Sequence, residues 1–450
     1  MRLLQTNILL ILVCLVFLAT RLYKIDSIPA SVYWDEASIG YNAYSVLTTG
    51  KDEWGETLPL HFRAFGEFKL PVYVYSVVIS EAVLGVNAVA VRLPAVIFGL
   101  LSIVGLYFLV LELTKQKSIA MLSSFLFSIT PWFFIFSRTG YEATAGLSFF
   151  IWATYFLNRS VQVKKYLLFS TIFFIASAYS YNSFRILTPI VLGLGLLYHS
   201  YKKQLVIVLL SGLMLIISAF PLYKLYKQDS GLSRLQAVGS SAVISNYFKN
   251  FSPSYLFISG DTNLRSQIPN QSQLYLIDAV FLVLGIIYIV RSKNPKLYLI
   301  LGVLLLAPIP AAITKENPHA LRSILMSPML SIIIALGIFY LAKLHRFLIW
   351  FVIGIYVISF VNYYYGFVTN YNEVSKSAWQ YEYKEIFGKQ KEGCISDEYA
   401  QPYIFGLYYN KVDPNYFIST RVLNPVNDWG FSTVKSFGNY TFEKICGETN

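Results

Sequence analysis

Long apolar stretches constrain this chain more than any other feature of its sequence. A helix that crosses a bilayer needs about 20 mostly apolar residues. The sequence offers about eleven such stretches, at 4–20, 93–113, 119–137, 143–158, 166–182, 184–199, 204–223, 274–290, 297–313, 323–342 and 347–362. We therefore predict an all-α polytopic membrane protein with about 11 transmembrane helices.

The composition supports a membrane protein and excludes other classes. The chain has 450 residues, of which 56% are hydrophobic and only 13% are charged. A typical soluble domain has about 25% charged residues. A disordered chain, a disulfide-rich secreted module and an ordinary cytosolic enzyme are all excluded by these values.

The short connections between the spans alternate in charge. Basic residues gather in one set, at Arg2, Lys115, Lys117, Arg159, Lys164, Lys165, Lys202, Lys203, Arg291, Lys293, Lys296, Lys343 and Arg346. Of the 24 acidic residues, only Glu112 lies beside that set. Cytoplasmic loops carry the excess of Lys and Arg, so we predict a multi-pass protein of the cell membrane with its N-terminus in the cytoplasm. This bias also explains the net charge of +12, and no nucleic-acid partner is expected.

Three long segments lie outside the membrane in this topology, at 21–92, about 224–273 and 363–450. We predict a transmembrane domain over 1–362 and a small soluble extracytoplasmic α/β domain over 363–450. In that tail, 403–409 has the pattern of a helix or a strand, and 416–419 that of a strand. Cys394 and Cys446 either form a disulfide in an oxidising compartment or remain two free buried thiols.

The stretch 70–85 is apolar enough to suggest a twelfth span. A further span would place the basic loops outside, and Glu81 at the bilayer centre would cost at least about 2.5–3.5 kcal/mol. We therefore predict a juxtamembrane helix that lies along the outer interface or is re-entrant.

The first outer segment combines carboxylates with aromatic residues. Asp35 and Glu36 directly follow Trp34, and Glu67 and Lys69 precede a proline. Adjacent residues on a helix face different ways, so one of Asp35 and Glu36 at most enters a site while the other caps or braces. Lys69 lies ahead of Pro71 in an extended or turn geometry, where it meets an anion that Glu67 helps to position. A solvated loop and a lysine at the membrane interface are the alternatives.

Further candidate substrate-binding residues lie at the outer ends of the spans. They are Arg138 with Glu142, Arg185, Asp261 with Arg265, and His319 with Arg322. Arginine suits bidentate phosphate recognition, so with Lys69 these cations favour an anionic headgroup. Each alone is as well explained as an interface anchor, and Asp261 and Arg265 either order their loop or contact substrate.

The order of these motifs resembles the GT-C membrane glycosyltransferases, especially bacterial protein O-mannosyltransferases and aminoarabinose transferases. The resemblance covers roughly residues 1–340. It is carried by 34–37 (WDEA), 67–73 (EFKLPVY), 92–95 (RLPA), Arg138 with Glu142, and His319 with Arg322. It implies a polyprenyl-phosphate sugar donor, with Asp35 as catalytic base and Lys69 near the carrier phosphate. Leu70 stands where the common form of the motif has a proline.

The resulting hypothesis is sugar transfer to a lipid, glycan or protein acceptor at the outer surface, with inversion. Asp35 is the predicted base, with Glu36 and Glu67 as further catalytic candidates, and Lys69, Arg138 and Arg322 are the predicted phosphate-side cations. A flippase or transporter of lipid-linked sugars, and a glycan polymerase or ligase, remain alternatives. No cofactor is certain, since the outer carboxylates are also suited to Mg²⁺ or Mn²⁺.

Overall fold

A computed structural model describes residues 2–65, 67–227, 239–345, 347–398, 401–426, 432–444 and 446, with side chains from residue 8 onward. Twenty α-helices follow in chain order within these residues: α1 (Arg2–Leu22), α2 (Trp34–Thr49), α3 (Pro71–Leu84), α4 (Ala88–Thr114), α5 (Lys117–Ile129), α6 (Pro131–Phe136), α7 (Glu142–Ser160), α8 (Tyr166–Ala178), α9 (Asn182–Tyr201), α10 (Leu205–Tyr226), α11 (Val243–Lys249), α12 (Asp278–Ser292), α13 (Pro295–Leu306), α14 (Ile309–Ala312), α15 (Met326–Leu344), α16 (Leu348–Thr369), α17 (Tyr371–Ser375), α18 (Tyr381–Lys389), α19 (Pro402–Asn410) and α20 (Pro414–Thr420). One π-helical turn (Ser254–Ile258) lies between α11 and α12. The described residues also form six short strands: β1 (Phe62–Arg63), β2 (Phe68–Lys69), β3 (Gly393–Ser396), β4 (Val422–Leu423), β5 (Val434–Phe437) and β6 (Tyr440–Glu443).

Every predicted span is occupied by helix, and the protein is a multi-pass membrane protein. By length and composition, five helical segments of the described part are suited to cross a bilayer: Ala88–Thr114, Leu205–Tyr226, Pro295–Ala312, Met326–Leu344 and Leu348–Thr369. The segment Pro295–Ala312 contains both α13 and α14. Shorter apolar helices accompany them at Ile8–Leu22, Pro71–Leu84, Lys117–Ile129 and Tyr166–Ala178. The predicted span 119–137 is interrupted, because Pro131 begins a new helix after Thr130 leaves the helical conformation.

The stretch 70–85 forms α3, which starts at Pro71 and stops at Gly85, where φ is +70°. Its 14 residues extend about 21 Å, less than the hydrocarbon core of about 30 Å. The helix packs between α2 and α4. That this helix lies along the outer interface or is re-entrant stays a prediction.

The tail forms a small α/β unit around a four-stranded sheet of order β3-β6-β5-β4, in which only β3 and β6 pair in parallel. The segment 403–409 is helical and lies in α19. The strand predicted at 416–419 is wrong, because Asp413 caps the amide of Tyr416 and Pro414 takes the first helical position, which starts α20. Cys394 and Cys446 form a disulfide.

Two hydrophobic clusters organise the molecule. The larger one fills the space among the apolar helices. The second joins α2, α3 and the tail, with residues such as Tyr41, Tyr73, Phe405 and Phe417 buried together. The tail therefore packs directly on the first outer segment and shares a core with it.

Candidate active site

The first turn of α2 separates two neighbouring carboxylates. Glu36 is fully buried and caps the helix by accepting the amide of Tyr33 at 3.2 Å. Arg92 donates to both of its oxygens at 2.9 Å, and the amide of Gly140 donates at 2.6 Å. A Cβ at position 140 would lie 3.0 Å from Glu36 Cγ, so glycine permits this approach. The structure thus gives the catalytic candidate Glu36 a bracing position away from the cavity lining.

Asp35 faces the opposite way and pairs with Lys69. The antiparallel β1–β2 hairpin brings Lys69 opposite Phe62, and Lys69 Nζ lies 2.6 Å from Asp35 Oδ1 and 3.5 Å from Glu67 Oε1. Burial lowers the pKa of Lys69, but the carboxylates of Asp35 and Glu142 raise it by more, so the pKa ends above its ordinary value. The ammonium group is therefore charged at neutral pH.

Two adjoining cavities meet at this ion pair. The narrow one, of about 50 Å³, is lined by Asp35, Lys69 and Glu142 among others. The wide one has a volume of about 240 Å³. Both are lined by Asp35, Glu67, Tyr141, Tyr181 and Leu321. Asp35 is thus accessible from either side.

Glu142 closes the narrow cavity beside Lys69. Its side chain accepts the amide of Leu70 at 3.4 Å, so the residue at the start of α7 fixes the end of the β2 strand. The sequence suggests Glu142 as a neighbour of Arg138, four residues earlier in the same outer turn. The structure pairs it instead with the Lys69 segment.

The far side of the wide cavity is cationic. Arg265, His319 and Arg322 line it together with Glu316. Arg322 donates to Thr314 Oγ1 at 3.0 Å and lies 3.4 Å from Glu316, which is also 3.6 Å from His319. His319 and Arg322, which the sequence analysis listed together as candidate substrate-binding residues, thus line the same cavity.

An aromatic wall connects the two sides of the wide cavity. The guanidinium carbon of Arg265 lies 3.9 Å from the ring centre of Tyr33. The ring centres of Tyr33 and Trp34 are 5.4 Å apart, and Phe65 stacks on Trp34 with ring centres 5.3 Å apart. These rings offer an apolar surface beside the charged groups.

Three predicted substrate-binding residues lie elsewhere. Arg138 is fully buried, and its guanidinium donates to the backbone carbonyls of residues 20, 23, 24 and 28. Its prediction as a phosphate-side cation is therefore wrong, because its donors hold the turn after α1. Asp261 accepts the amides of Asn263 and Ala320, so it orders its loop. Arg185 lines a separate groove between α8, α9 and α10.

Several cavity residues were not selected from the sequence: Tyr33, Tyr141, Tyr181, Asn263 and Glu316. Each lies either within two residues of a predicted site residue or in the same outer turn as one. Proximity to the motifs was the available signal, but tyrosines are common throughout this chain, with 35 in total. Their residue type alone could not distinguish them.

Within the described residues, no group of three or more His, Cys, Asp and Glu side chains is placed to hold a metal ion. Asp35 and Glu67 both face the Lys69 ammonium. That ammonium offsets part of the negative charge of these two carboxylates.

Comparisons with known proteins agree with the geometry. Residues 69–223 match the family model for dolichyl-phosphate-mannose-protein mannosyltransferase. The apo crystal structure of ArnT from Cupriavidus metallidurans superposes with a TM-score of 0.60 at 11% identity, covering 91% of this chain and 85% of ArnT. The chain has the GT-C fold. No curated protein matches it.

An archaeal oligosaccharyltransferase shares the GT-C fold. The Archaeoglobus fulgidus enzyme with Zn and sulfate has a TM-score of 0.53 at 13% identity, covering 89% of this chain and 61% of that enzyme. Its complex with an inhibitory peptide and a dolichol-phosphate has a TM-score of 0.50, covering 90% of this chain and 64% of that one. The present chain thus spans about three fifths of the length of the oligosaccharyltransferase.

Proposed function

We propose that this protein is a membrane glycosyltransferase that transfers a sugar from a polyprenyl-phosphate donor to an acceptor at the extracytoplasmic surface. The observation that carries the proposal is the Asp35–Lys69 pair at 2.6 Å, which lies between two cavities in a chain with the GT-C fold. The basic loops on the opposite side support a cytoplasmic N-terminus.

Asp35 is proposed as the general base. An acceptor hydroxyl in the wide cavity attacks the anomeric carbon of the donor, and Asp35 takes the hydroxyl proton as the new bond forms. The bond between the anomeric carbon and the phosphate oxygen breaks, and the electron pair leaves with the phosphate. Direct displacement inverts the anomeric centre, through an oxocarbenium-like transition state as in glycoside hydrolysis.

Lys69 is proposed to stabilise the departing phosphate. Its positive charge lies next to the base, so negative charge that develops on the leaving group meets a preorganised cation. Glu67, at 3.5 Å from Lys69, positions the ammonium. This arrangement supplies both the proton acceptor and the phosphate-side cation without a metal ion.

The apolar groove offers a place for the carrier lipid. It has a volume of about 310 Å³ and is lined mainly by apolar residues of α8, α9 and α10. The charged side chain of Arg185 also lines it. Arg185 lies three residues after Asn182, which lines the narrow cavity. A polyprenyl chain in the groove would place its phosphate towards Lys69. The related archaeal enzyme binds a dolichol-phosphate, which supports a lipid-linked donor.

The experiment is transfer of radiolabelled mannose, glucose or aminoarabinose from polyprenyl phosphate by purified protein in lipid vesicles, with membrane extract as acceptor source. Wild type is compared with Asp35→Asn, Lys69→Gln and the control Asp26→Asn, which changes an exposed carboxylate of the same outer segment. We expect transfer with at least one donor, abolished by the first two changes and retained in the control. Movement of labelled lipid across the vesicle without product would instead support the flippase alternative.

A further inference from the structure

Two residues of the tail, Ala378 and Gln380, contact two separate segments of the chain that line the wide cavity. Gln380 Oε1 accepts the backbone amide of Trp34 at 3.2 Å, immediately before Asp35. The carbonyl of Ala378 accepts a hydrogen bond from Arg265 Nη1 at 3.3 Å. Residues 378–380 therefore hold the turn that carries Asp35 and the loop that carries Arg265.

Trp379, between these two contacts, is fully buried. Its carbonyl accepts the hydroxyl of Ser31, and its ring lies edge-on to Tyr33 at 6.3 Å. Its indole donates to the Tyr371 hydroxyl at 2.8 Å, and that hydroxyl donates to the carbonyl of Leu264 at 2.7 Å. Both cavity walls are thus bonded to one buried tryptophan and its neighbours.

The backbone at Gln380 has a left-handed conformation, with φ +53° and ψ +41°. Residues other than glycine adopt it only where the surroundings impose it. Here it turns the chain from the end of α17 into α18. The same turn directs the Gln380 side chain at the first helical amide of α2.

Other bonds connect this tail segment to the turn before α2. Asn372 donates to the carbonyl of Ser27 at 2.7 Å, and Lys384 donates to that of Ala30 at 3.2 Å. Together with Ser31, these contacts cover the turn that leads into Trp34. The start of the tail therefore encloses the Asp35 turn rather than lying apart from it.

We propose that Gln380 is a positioning residue of the active site, which sets the orientation of Asp35 towards the wide cavity and its separation from Arg265. Asp35 is the second residue of α2, so the amide that Gln380 holds immediately precedes it. The loss of this bond releases the first turn of α2 and misorients the base. This inference rests on the proposed function for its kinetic consequence, but the contact itself can be tested without transfer activity.

The kinetic test compares Gln380→Leu, Gln380→Glu and the control Gln390→Leu, which changes an exposed glutamine of the same tail. Leucine has a similar size but cannot accept the Trp34 amide. We expect kcat to fall about 10- to 100-fold with the KM for donor within threefold. A fall in kcat of this size is typical of a catalytic group that is held in the wrong orientation. Glutamate accepts the amide at a helix N-terminus and should restore at least half of kcat.

Equal impairment in the leucine and glutamate variants would overturn the proposal, as would an unchanged kcat in Gln380→Leu. The pH profile adds a second readout. We expect Gln380→Leu to move the acidic limb of the kcat profile, which reports ionisation of the base, whereas a purely structural loss of active protein lowers the whole profile without moving it.

Amide hydrogen exchange tests the contact independently of chemistry. In wild type and Gln390→Leu, the amides of 34–37 should be protected, and Gln380→Leu should raise their exchange rates at least fivefold while α4 stays unchanged. Unchanged exchange in Gln380→Leu would overturn the inference. Absence of transfer by wild type with every donor would count against the proposed function, and the exchange result would still decide the role of Gln380.

Discussion

Asp35 and Glu36 are adjacent in the chain but lie in opposite environments. Asp35 meets Lys69 at 2.6 Å at the edge of a cavity, whereas Glu36 is buried against Arg92 at 2.9 Å. Successive residues of a helix are about 100° apart, which is enough to place one carboxylate in the site and the other in the core. Substitutions at these two positions should therefore have different effects.

Asp35→Asn should abolish transfer. It should cost less stability than Glu36→Gln, because Glu67 still lies 3.5 Å from the buried Lys69 ammonium and Glu142 is nearby. The amide keeps the size of the carboxylate but cannot accept the acceptor proton, and loss of a general base typically lowers rates by about 10²–10⁴-fold. The measurement is kcat/KM for labelled donor, with the thermal unfolding midpoint in detergent as a check on folding. Full activity in this variant would move the base to another carboxylate, Glu67 first.

Glu36→Gln should primarily destabilise the protein. Removing one partner of a buried ion pair leaves the other charge uncompensated, at a cost of about 3–5 kcal/mol. We expect a clearly lower thermal unfolding midpoint than in wild type. Glu56→Gln, at an exposed position of the same outer segment, is the control and should leave the midpoint within about one degree. Equal midpoints in the two variants would contradict the bracing role of Glu36.

Chelation should not reduce the activity. The Lys69 ammonium already stands between Asp35 and Glu67, so these carboxylates need no divalent ion to offset their charge. Transfer measured with EDTA, with added Mg²⁺ and with added Mn²⁺ should agree within about twofold. A loss with EDTA that Mg²⁺ or Mn²⁺ restores would show that a metal takes part.

Glu53→Gln should stabilise the protein at alkaline pH. Burial next to Asp52 raises the pKa of Glu53 from 4.5 to about 8, where Asn42 donates to one oxygen and Arg421 donates to the Glu53 carbonyl. Because the pKa of Glu53 is higher in the folded state, the protonated form of Glu53 favours folding. This contribution to the unfolding free energy is complete below pH 4.5 and is lost as pH rises towards about 8. Within that window it falls by about 1.4 kcal/mol per pH unit.

The measurement for Glu53 is the difference in unfolding free energy between wild type and Glu53→Gln as a function of pH. Because glutamine stays neutral, the variant should gain on wild type from pH 4.5 to 8 and not beyond. A difference that is constant with pH would show that folding leaves the pKa of Glu53 unchanged, which contradicts the raised value.

The sequence predicted the membrane helices well because apolar length is a local property. It also predicted that Asp35 and Glu36 would point apart, which follows from helix geometry. Residue spacing alone could not assign the two roles, and Asp35 was named as the base only through the family resemblance, because the bracing of Glu36 depends on Arg92 and Gly140, which lie 56 and 104 residues away. Arg138 was misassigned for the same reason, since its carbonyl partners lie more than 100 residues earlier in the chain.

The tail was predicted less well, for one local and one long-range reason. The segment 416–419 has the apolar and aromatic character of a strand, but the Asp413 cap and Pro414 decide for a helix. Its contacts with the Asp35 turn have no sequence signal at all, because Gln380 and the Trp34 amide are 346 residues apart.

That separation also determines the order in which the protein becomes complete during its synthesis. The helix that carries Asp35 leaves the ribosome early, but the glutamine that holds its first turn is made hundreds of residues later. Newly made protein therefore contains Asp35 and Lys69 well before the cavity beside them has its final shape. The finished cavity forms only when residues 378–380 have been made and have packed against the segments that carry Asp35 and Arg265.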